Sequence, residues 1–309
     1  LKLGGEKRWV TILMSDLRGF TAMVERLEPT AVVAILNNYL SVMIDIIQAE
    51  GGTIDEIIGD AILVLFGAPV SWPDAALRAV RTALAMQQAM AAVNRHHREQ
   101  GWPEIAMGIA LHGGEVVVGN LGSRKRTKYG VVGRAVNLTA RIESYTVGGQ
   151  ILVSPALLTE AGTGLLLGEE ILVSAKGMRQ PLACRELLGH AAYPELQRAR
   201  LEETVTPLAA PLACFFRRLD GKHLEDQAQP AQLTALGPNR ACLTADDLPE
   251  RHSNLLLTLT ADPATPDAPE LYAKVISRQE EPQAGCLLHF TSVSPAMAAV
   301  LKQLLPGGA

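Results

Sequence analysis

Several features that mark whole classes of protein are scarce in this sequence. It has 4 cysteines in 309 residues, and no two of them have the spacing of a CxxC pair or a metal-binding motif. We therefore expect free thiols, most of them buried, in a reducing compartment, which predicts a cytoplasmic protein. The 28 Lys+Arg are outnumbered by 32 Asp+Glu, so there is no basic surplus to favour nucleic-acid binding.

Long apolar runs are also missing. The longest, such as 61–70, have about ten residues, which is too short to cross a bilayer. No secretion signal is visible, so we expect no membrane span. The chain begins at Leu1 rather than Met, and we expect it to continue a longer protein with an upstream sensory domain.

The length suits two domains, and the hydrophobic pattern changes near residue 190. Before that point, helical and strand periodicities alternate, which predicts an α+β domain over 1–190 with helices on one mostly antiparallel sheet. Helices are expected at 29–49, 73–98 and 134–145. Strands are expected at 8–17, 53–57, 61–66, 105–112, 115–121, 128–132 and 151–153, with hairpin turns at 58–60 and at Gly113-Gly114.

The rest of the chain has a different character. Residues 191–211 are polar and predict a helix and linker. Over 212–309, short β-rich stretches are separated by prolines and glycines, which predicts a small β-barrel that ends in a helix at 295–305.

Two aspartates stand out in the first domain. Asp16 lies in SDLRGFT, residues 15–21, and Asp60 ends TIDEIIGD, residues 53–60. Carboxylates on neighbouring strands can hold two Mg²⁺ or Mn²⁺ ions against a nucleoside triphosphate. Taken singly, Asp16 could cap a helix and Asp60 could be a turn residue.

Five ordered segments together resemble the catalytic domain of class III nucleotide cyclases. They are SDLRGFT (15–21), GGTIDEIIGDAILVLFG (51–67), GIALHGGEVVVGNLG (108–122), YGVVGRAVNLTARIE (129–143) and SAKG (174–177). The resemblance covers about the first 60% of the chain. It implies an α+β cyclase sandwich, and sites shared across a head-to-tail homodimer, with the aspartates from one subunit and the base pocket from the other.

The resemblance also implies roles for individual residues. Asp16 and Asp60 would hold two divalent cations, Asn137 would orient the ribose, and Arg141 would stabilise the α-phosphate in the transition state. The triphosphate would contact the following residues: Gly19, Phe20, Thr21, Lys176 and Arg124. The alternatives are an exposed polar helix face for Asn137 and Arg141, and solvated turn residues for Lys176 and Arg124.

Base selection depends on two further positions. Glu56 stands where adenylyl cyclases usually carry a lysine, and its carboxylate can accept from the N1–H and 2-amino groups of guanine. Gly130 stands where adenylyl cyclases have Asp or Thr and many guanylyl cyclases have Cys. The alternative is that Glu56 is held in a salt bridge and the enzyme does not discriminate.

The sequence thus predicts a guanylyl cyclase that converts GTP to 3′,5′-cyclic GMP and pyrophosphate. The alternatives are an adenylyl or promiscuous purine cyclase, and a catalytically silent nucleotide sensor or scaffold. Because Asp16, Asp60, Asn137 and Arg141 are all present, the silent reading is disfavoured.

The C-terminal part faintly resembles a PilZ domain, a barrel often used to bind cyclic di-GMP. The RxxxR stretch and (D/N)xSxxG loop of such domains are absent, and the loop reads ALGPNR at 235–240. We therefore do not expect cyclic di-GMP binding, and we interpret this barrel as an interaction or dimer-positioning module.

Overall fold

The computed structural model divides into two compact units, one of residues 1–20 and 24–200, the other of 21–23 and 201–309. The structure describes residues 3–24, 27–123, 125–174, 178, 180–198, 204–220, 223–260, 262, 268–279, 284–293 and 295–305.

The first unit is built on one eight-stranded sheet. Its strand order is β2-β3-β1-β4-β6-β8-β7, with β5 paired to β4. All pairings are antiparallel except β4 with β6, so the prediction of an α+β domain with a mostly antiparallel sheet is confirmed. The strands are β1 (Gly4–Arg18), β2 (Thr53–Ile58), β3 (Ala61–Phe66), β4 (Ala106–Ser123), β5 (Arg126–Val132), β6 (Ile151–Val153), β7 (Leu165–Val173) and β8 (Leu182–His190).

Five helices accompany this sheet: α1 (Phe20–Val24), α2 (Pro29–Ala49), α3 (Ala75–Glu99), α4 (Arg134–Glu143) and α5 (Pro155–Ala161). The ends of α2 follow directly from its sequence. Pro29 occupies the first turn, where its missing N–H costs nothing. Gly51, at φ 76°, ends the helix as residues with a Cβ rarely can.

The helices pack on both faces of the sheet. On one face, α4 contributes Ala135 to a core with Val10 and Ile12 of β1. On the other, the hydroxyl of Tyr39 on α2 donates to Sδ of Met107 at 3.1 Å. Within the described residues, α2 is the one helix long and apolar enough to cross a bilayer by composition alone. On one face of α2, Ile35, Tyr39, Met43 and Ile47 have no exposure, while Val33 on another face is 56% exposed. One face of α2 is therefore part of the core.

The predicted hairpin at Gly113-Gly114 is wrong. Both glycines lie inside the continuous strand β4, and neither has a positive φ. They are small for a packing reason instead. A Cβ at Gly113 would overlap the carboxylate of Glu160, and one at Gly114 would lie 2.7 Å from Cβ of Ala135. The glycine pair lets α4 and α5 approach the strand closely, and the chain turns later, between β4 and β5.

The second unit contains a closed β-barrel of six strands, with β10 (His223–Leu224) added to β9 at its side. The six barrel strands are β9 (Thr206–Asp220), β11 (Gln229–Leu236), β12 (Arg240–Thr244), β13 (Asn254–Thr258), β14 (Glu270–Gln279) and β15 (Gly285–Val293), followed by α6 (Pro295–Leu304). The barrel and the terminal helix are as predicted. The core is aliphatic, with Phe216 at its centre and no exposure.

The predicted linker over 191–211 extends too far. Strand β9 already begins at Thr206, and Pro207 pairs with Ala235. Two of the three prolines in this stretch, Pro207 and Pro211, favour a linker on sequence grounds. Here they lie beside a register shift in β11, where the ladder does not require every N–H.

We predict that Gly114→Ala lowers the free energy of unfolding by about 1–2 kcal/mol, since the added methyl overpacks the contact with Ala135. Gly130→Ala is the matched control, because the nearest side-chain atom to its Cβ would be 3.4 Å away, on Leu121. Urea denaturation followed by tryptophan fluorescence measures the effect. All three tryptophans lie in the first unit. Equal effects of the two substitutions would contradict this packing role.

Candidate active site

The two predicted metal aspartates come together at one end of the sheet. Asp16 is near the end of β1, and Asp60 lies in the turn between β2 and β3. The backbone N–H of Leu17 donates to Oδ2 of Asp60 at 3.2 Å. This bond fixes the Asp60 carboxylate beside β1, so that the side chains of Asp16 and Asp60 lie at the same end of the sheet.

Arg18 supports this pair and was missed by the sequence analysis. Its guanidinium forms an ion pair with Glu143 at the end of α4 and lies 3.7 Å from Oδ2 of Asp16. Arg18 and Glu143 have side chains that are only 10% and 9% exposed. Such a buried cation draws the Asp16 carboxylate toward α4, and breaking the pair would leave a buried charge uncompensated. The adjacency of Asp16 and Arg18 was visible in the sequence, but Glu143 is far along the chain.

The electrostatics of the pair suit a cation. Burial, and then the neighbouring Asp16 carboxylate, raise the pKa of Asp60 to about 7. Among the described residues, no group of three or more His, Cys, Asp or Glu converges on one point. The pair therefore offers two carboxylates only, which is the donor set that Mg²⁺ takes when substrate phosphates and water complete its coordination.

Asn137 and Arg141 are both exposed on α4, one turn apart, as their spacing predicted. Nε of Arg141 donates to the carbonyl of Ser174 at 2.8 Å, and the guanidinium lies 5.0 Å from the ring centre of Tyr145. The Arg141 side chain is thus held from two sides while it remains open to solvent. Asn137 has the same access without such support.

The base-selecting positions lie on β2 and β5. A β-bulge between Ile54 and Glu56 changes the register of β2 against β3, and β5 folds back against β2. Nζ of Lys128 donates to Oε1 of Glu56 at 2.9 Å and lies 3.8 Å from Oδ2 of Asp55. Gly130 is buried beside them, and a Cβ on it would lie 3.7 Å from Oδ1 of Asp55.

Asp55 and Lys128 are therefore two further site residues, besides Arg18, that the sequence analysis overlooked. Glu56 is in a salt bridge, as the alternative reading required, but the pair is open. The Glu56 and Lys128 side chains are 48% and 49% exposed, and ion pairs this exposed are worth about 0.2–1 kcal/mol. A ligand with better-matched donors and acceptors can share or displace it.

Three of the predicted triphosphate contacts lie outside what the structure describes. These are Arg124, Lys176 and the side chain of Thr21. Gly19 has a φ of 68° and comes three residues after Asp16, and the largely buried Phe20 begins α1. Their phosphate role stays a prediction.

A sheet with helices on both faces and a half-buried carboxylate pair at the end of the interior strand β1 defines the class as a nucleotide cyclase domain. The family profile described as the adenylate and guanylate cyclase catalytic domain matches residues 5–177. The chain belongs to this family, the class III nucleotide cyclases.

Relatives of both specificities match. The solved guanylyl cyclase Cya2 is 50% identical, with a TM-score of 0.62 over 64% of this chain and 100% of its own. The adenylyl cyclase CyaB from P. aeruginosa is 32% identical, with a TM-score of 0.58 over 60% of this chain and 96% of its own. An adenylate cyclase of Anabaena cylindrica is 41% identical over 157 residues, 49% of this chain and 30% of that protein. The chain spans under a third of the length of two curated adenylate cyclases that it matches.

We predict that Asp60→Asn stabilises the metal-free protein at pH 8 by ~2–4 °C in melting temperature and has a smaller effect at pH 5. The pKa of Asp60 is raised from its ordinary 3.8 to about 7 in the folded protein, so its contribution to stability is fully present below the ordinary value and is lost as pH rises to the folded value. Melting in EDTA at both pH values tests this, with Asp45→Asn on the exposed side of α2 as the control. The same gain at both pH values would contradict it.

Proposed function

We propose that this chain is a guanylyl cyclase, converting GTP to 3′,5′-cyclic GMP and pyrophosphate. The observation that carries this proposal is the contact between Glu56 and Lys128, a carboxylate acceptor beside an ammonium donor in an accessible position. It lies next to Gly130, where no side chain blocks the approach of a base.

Guanine matches this pair. Its N1–H and 2-amino group are adjacent donors for the Glu56 carboxylate, and its O6 is an acceptor for Nζ of Lys128. Adenine would set the lone pair of N1 against the Glu56 carboxylate in the same pose, and two acceptors that face each other are unfavourable in a desolvated site. Gly130, at the second base-selecting position, has no side chain to donate to O6, and Lys128 supplies this donor instead.

In the reaction, the ribose 3′-oxygen attacks the α-phosphorus. The new O3′–P bond forms as the bond from the α-phosphorus to the β-phosphate oxygen breaks, and the hydroxyl proton passes to solvent or to phosphate. Two divalent cations, held by Asp16 and Asp60 when bound, would supply Lewis-acid stabilisation of the alkoxide and the leaving pyrophosphate.

The residues on α4 do the rest. Arg141, anchored by Ser174 and Tyr145, presents its guanidinium to the charge that develops on the α-phosphoryl oxygens. Asn137, on the same exposed face, orients the ribose by hydrogen bonding. A fixed arginine loses less entropy in the transition state than a free one, which gives the Tyr145 contact a catalytic consequence.

The relatives support cyclisation of both purine nucleotides. The 50% identity to the guanylyl cyclase Cya2 favours GTP, while the adenylyl cyclase CyaB and the curated adenylate cyclases support ATP as the second candidate. The specific observation that favours the second candidate is the buried Asp55 carboxylate beside Lys128.

We assign the sites to a head-to-tail homodimer in the cytoplasm. One subunit would supply Asp16 and Asp60, and its partner Glu56, Asn137 and Arg141. All four cysteines are free thiols, three of them buried, which supports a reducing compartment. The second unit would act as a PilZ-like interaction module, since it contains a closed barrel of six strands. It would not bind cyclic di-GMP, because its loop lacks the ligand motif.

We predict that Glu56→Gln lowers kcat/KM for GTP roughly 10- to 100-fold, since the amide loses the charged acceptor for two guanine donors. Initial rates with GTP and ATP, in Mn²⁺ and in Mg²⁺, measure the change. Glu170→Gln, an exposed carboxylate on β7, is the control and should leave both rates unchanged. An unchanged GTP rate in Glu56→Gln would show that the base is read elsewhere.

Shared sites make a second prediction. Asp60→Ala and Asn137→Ala proteins should each be inactive, yet random mixing of subunits should restore about a quarter of wild-type activity, because half the dimers then carry one intact site of two. Cyclic nucleotide production after mixing measures it, with heterodimers verified by differently tagged subunits. Silence of verified heterodimers would argue against shared sites.

A further inference from the structure

Asp55 is a buried carboxylate that the proposed reaction does not use. Its side chain is 5% exposed, while the adjacent Glu56 is half exposed. Neighbouring residues on a regular strand point to opposite faces, and the β-bulge at this place breaks that alternation. As a result, Asp55 and Glu56 both reach the ammonium of Lys128.

One oxygen of Asp55 has no partner. Oδ2 lies 3.8 Å from Nζ of Lys128, but Oδ1 is buried and makes no hydrogen bond. A buried acceptor left unpaired costs free energy, so the site favours a ligand that brings a donor to it. Burial also raises the pKa of Asp55, in keeping with a carboxylate short of donors.

No side chain of residue 130 covers Oδ1, because this residue is glycine. A Cβ at Gly130 would lie 3.7 Å from Oδ1 of Asp55, 3.8 Å from Cε of Lys128 and 3.4 Å from Cδ1 of Leu121. Any longer side chain would fill this space. Because Oδ1 is itself buried, the Asp55 carboxylate must turn toward β5 for a ligand group to reach it.

The three side chains form a row of acceptor, donor and acceptor: Glu56, Lys128 and Asp55. Guanine can use the first two, as above. Adenine presents an acceptor at N1 beside a donor, its 6-amino group, and can use the last two, with Lys128 donating to N1 and Asp55 accepting from the amino group. The row can thus bind either purine, with adenine placed one position further along the row than guanine.

We infer that Asp55 is a second base-reading residue, which accepts the 6-amino group of adenine and thereby limits the preference for GTP over ATP. This inference rests on the proposed cyclase function and on Glu56 as the guanine reader. It assigns the two specificities to two neighbouring carboxylates that share one lysine.

The test compares both nucleotides in Asp55→Ala and Glu56→Ala proteins. Asp55→Ala should raise the ratio of kcat/KM for GTP over ATP roughly 10- to 100-fold, because ATP loses a charged acceptor. Glu56→Ala should move the same ratio in the opposite direction. Each protein serves as its own reference for correct folding, since the ratio compares two substrates at one site.

Two controls separate base reading from a structural role. Asp55→Asn keeps a carbonyl acceptor and should retain more ATP turnover than Asp55→Ala. Asp45→Ala removes an exposed carboxylate on α2 and should leave the ratio unchanged. An Asp55→Ala protein that loses GTP and ATP turnover equally, or one whose ratio falls, overturns the inference.

Binding gives a readout that does not depend on turnover. The dissociation constants of the non-cyclisable α,β-methylene analogues of GTP and ATP should change with the same sign as the kinetic ratios. If wild-type protein makes neither cyclic nucleotide, the proposed function fails, and the analogue affinities alone decide the role of Asp55. If wild type makes cyclic GMP and Asp55→Ala leaves both ratios unchanged, the inference alone fails.

Discussion

The antiparallel pairing of β1 with β4 is the interaction on which the rest of the catalytic unit depends. It runs without a break from Gly4 opposite Asn120 to Arg18 opposite Ala106. One end of this ladder sets the position of Asp16. The other carries the chain into β5, which returns to β2 with Lys128 and Gly130. A register slip of one residue would turn every side chain of the strand to the opposite face. Asp16, at one end, and Lys128 and Gly130, at the other, would then lose their present positions.

Charge is then used in two different ways on the same framework. At the end of β1, two carboxylates are held close, and the nearest cation, Arg18, is committed to Glu143. That leaves a demand for positive charge which a metal ion fits. On β2, the carboxylates of Asp55 and Glu56 already have a resident cation, Lys128. The first arrangement favours binding of an ion, and the second favours recognition of neutral polar edges.

The sequence was most informative where local rules decide structure. The bounds of α2 agree with the prediction at both ends, because Pro29 and Gly51 act on their own neighbours. Local rules failed at Gly113-Gly114, where the glycines serve contacts with Glu160 and Ala135 from distant parts of the chain.

The site divides in the same way. Asp16, Asp60 and Glu56 belong to short recognisable segments, and the structure places the two aspartates side by side. Asp55 and Lys128 were not predicted as a pair, since their meeting depends on a bulge in β2 and on the return of β5. Neither feature has a local signature. Arg18 likewise gains its meaning only from Glu143, which α4 delivers from far along the sequence.

The β2–β3 hairpin has a consequence for communication between active sites. It carries Glu56 on one strand and Asp60 in its turn, and the intervening Ile57 and Ile58 are 40% and 59% exposed. In the proposed homodimer with shared sites, Glu56 and Asp60 of one chain serve different nucleotides. A shift of this hairpin would move both residues and so change both catalytic centres together. Occupancy of one site could then set the affinity of the other, which is the basis of cooperativity.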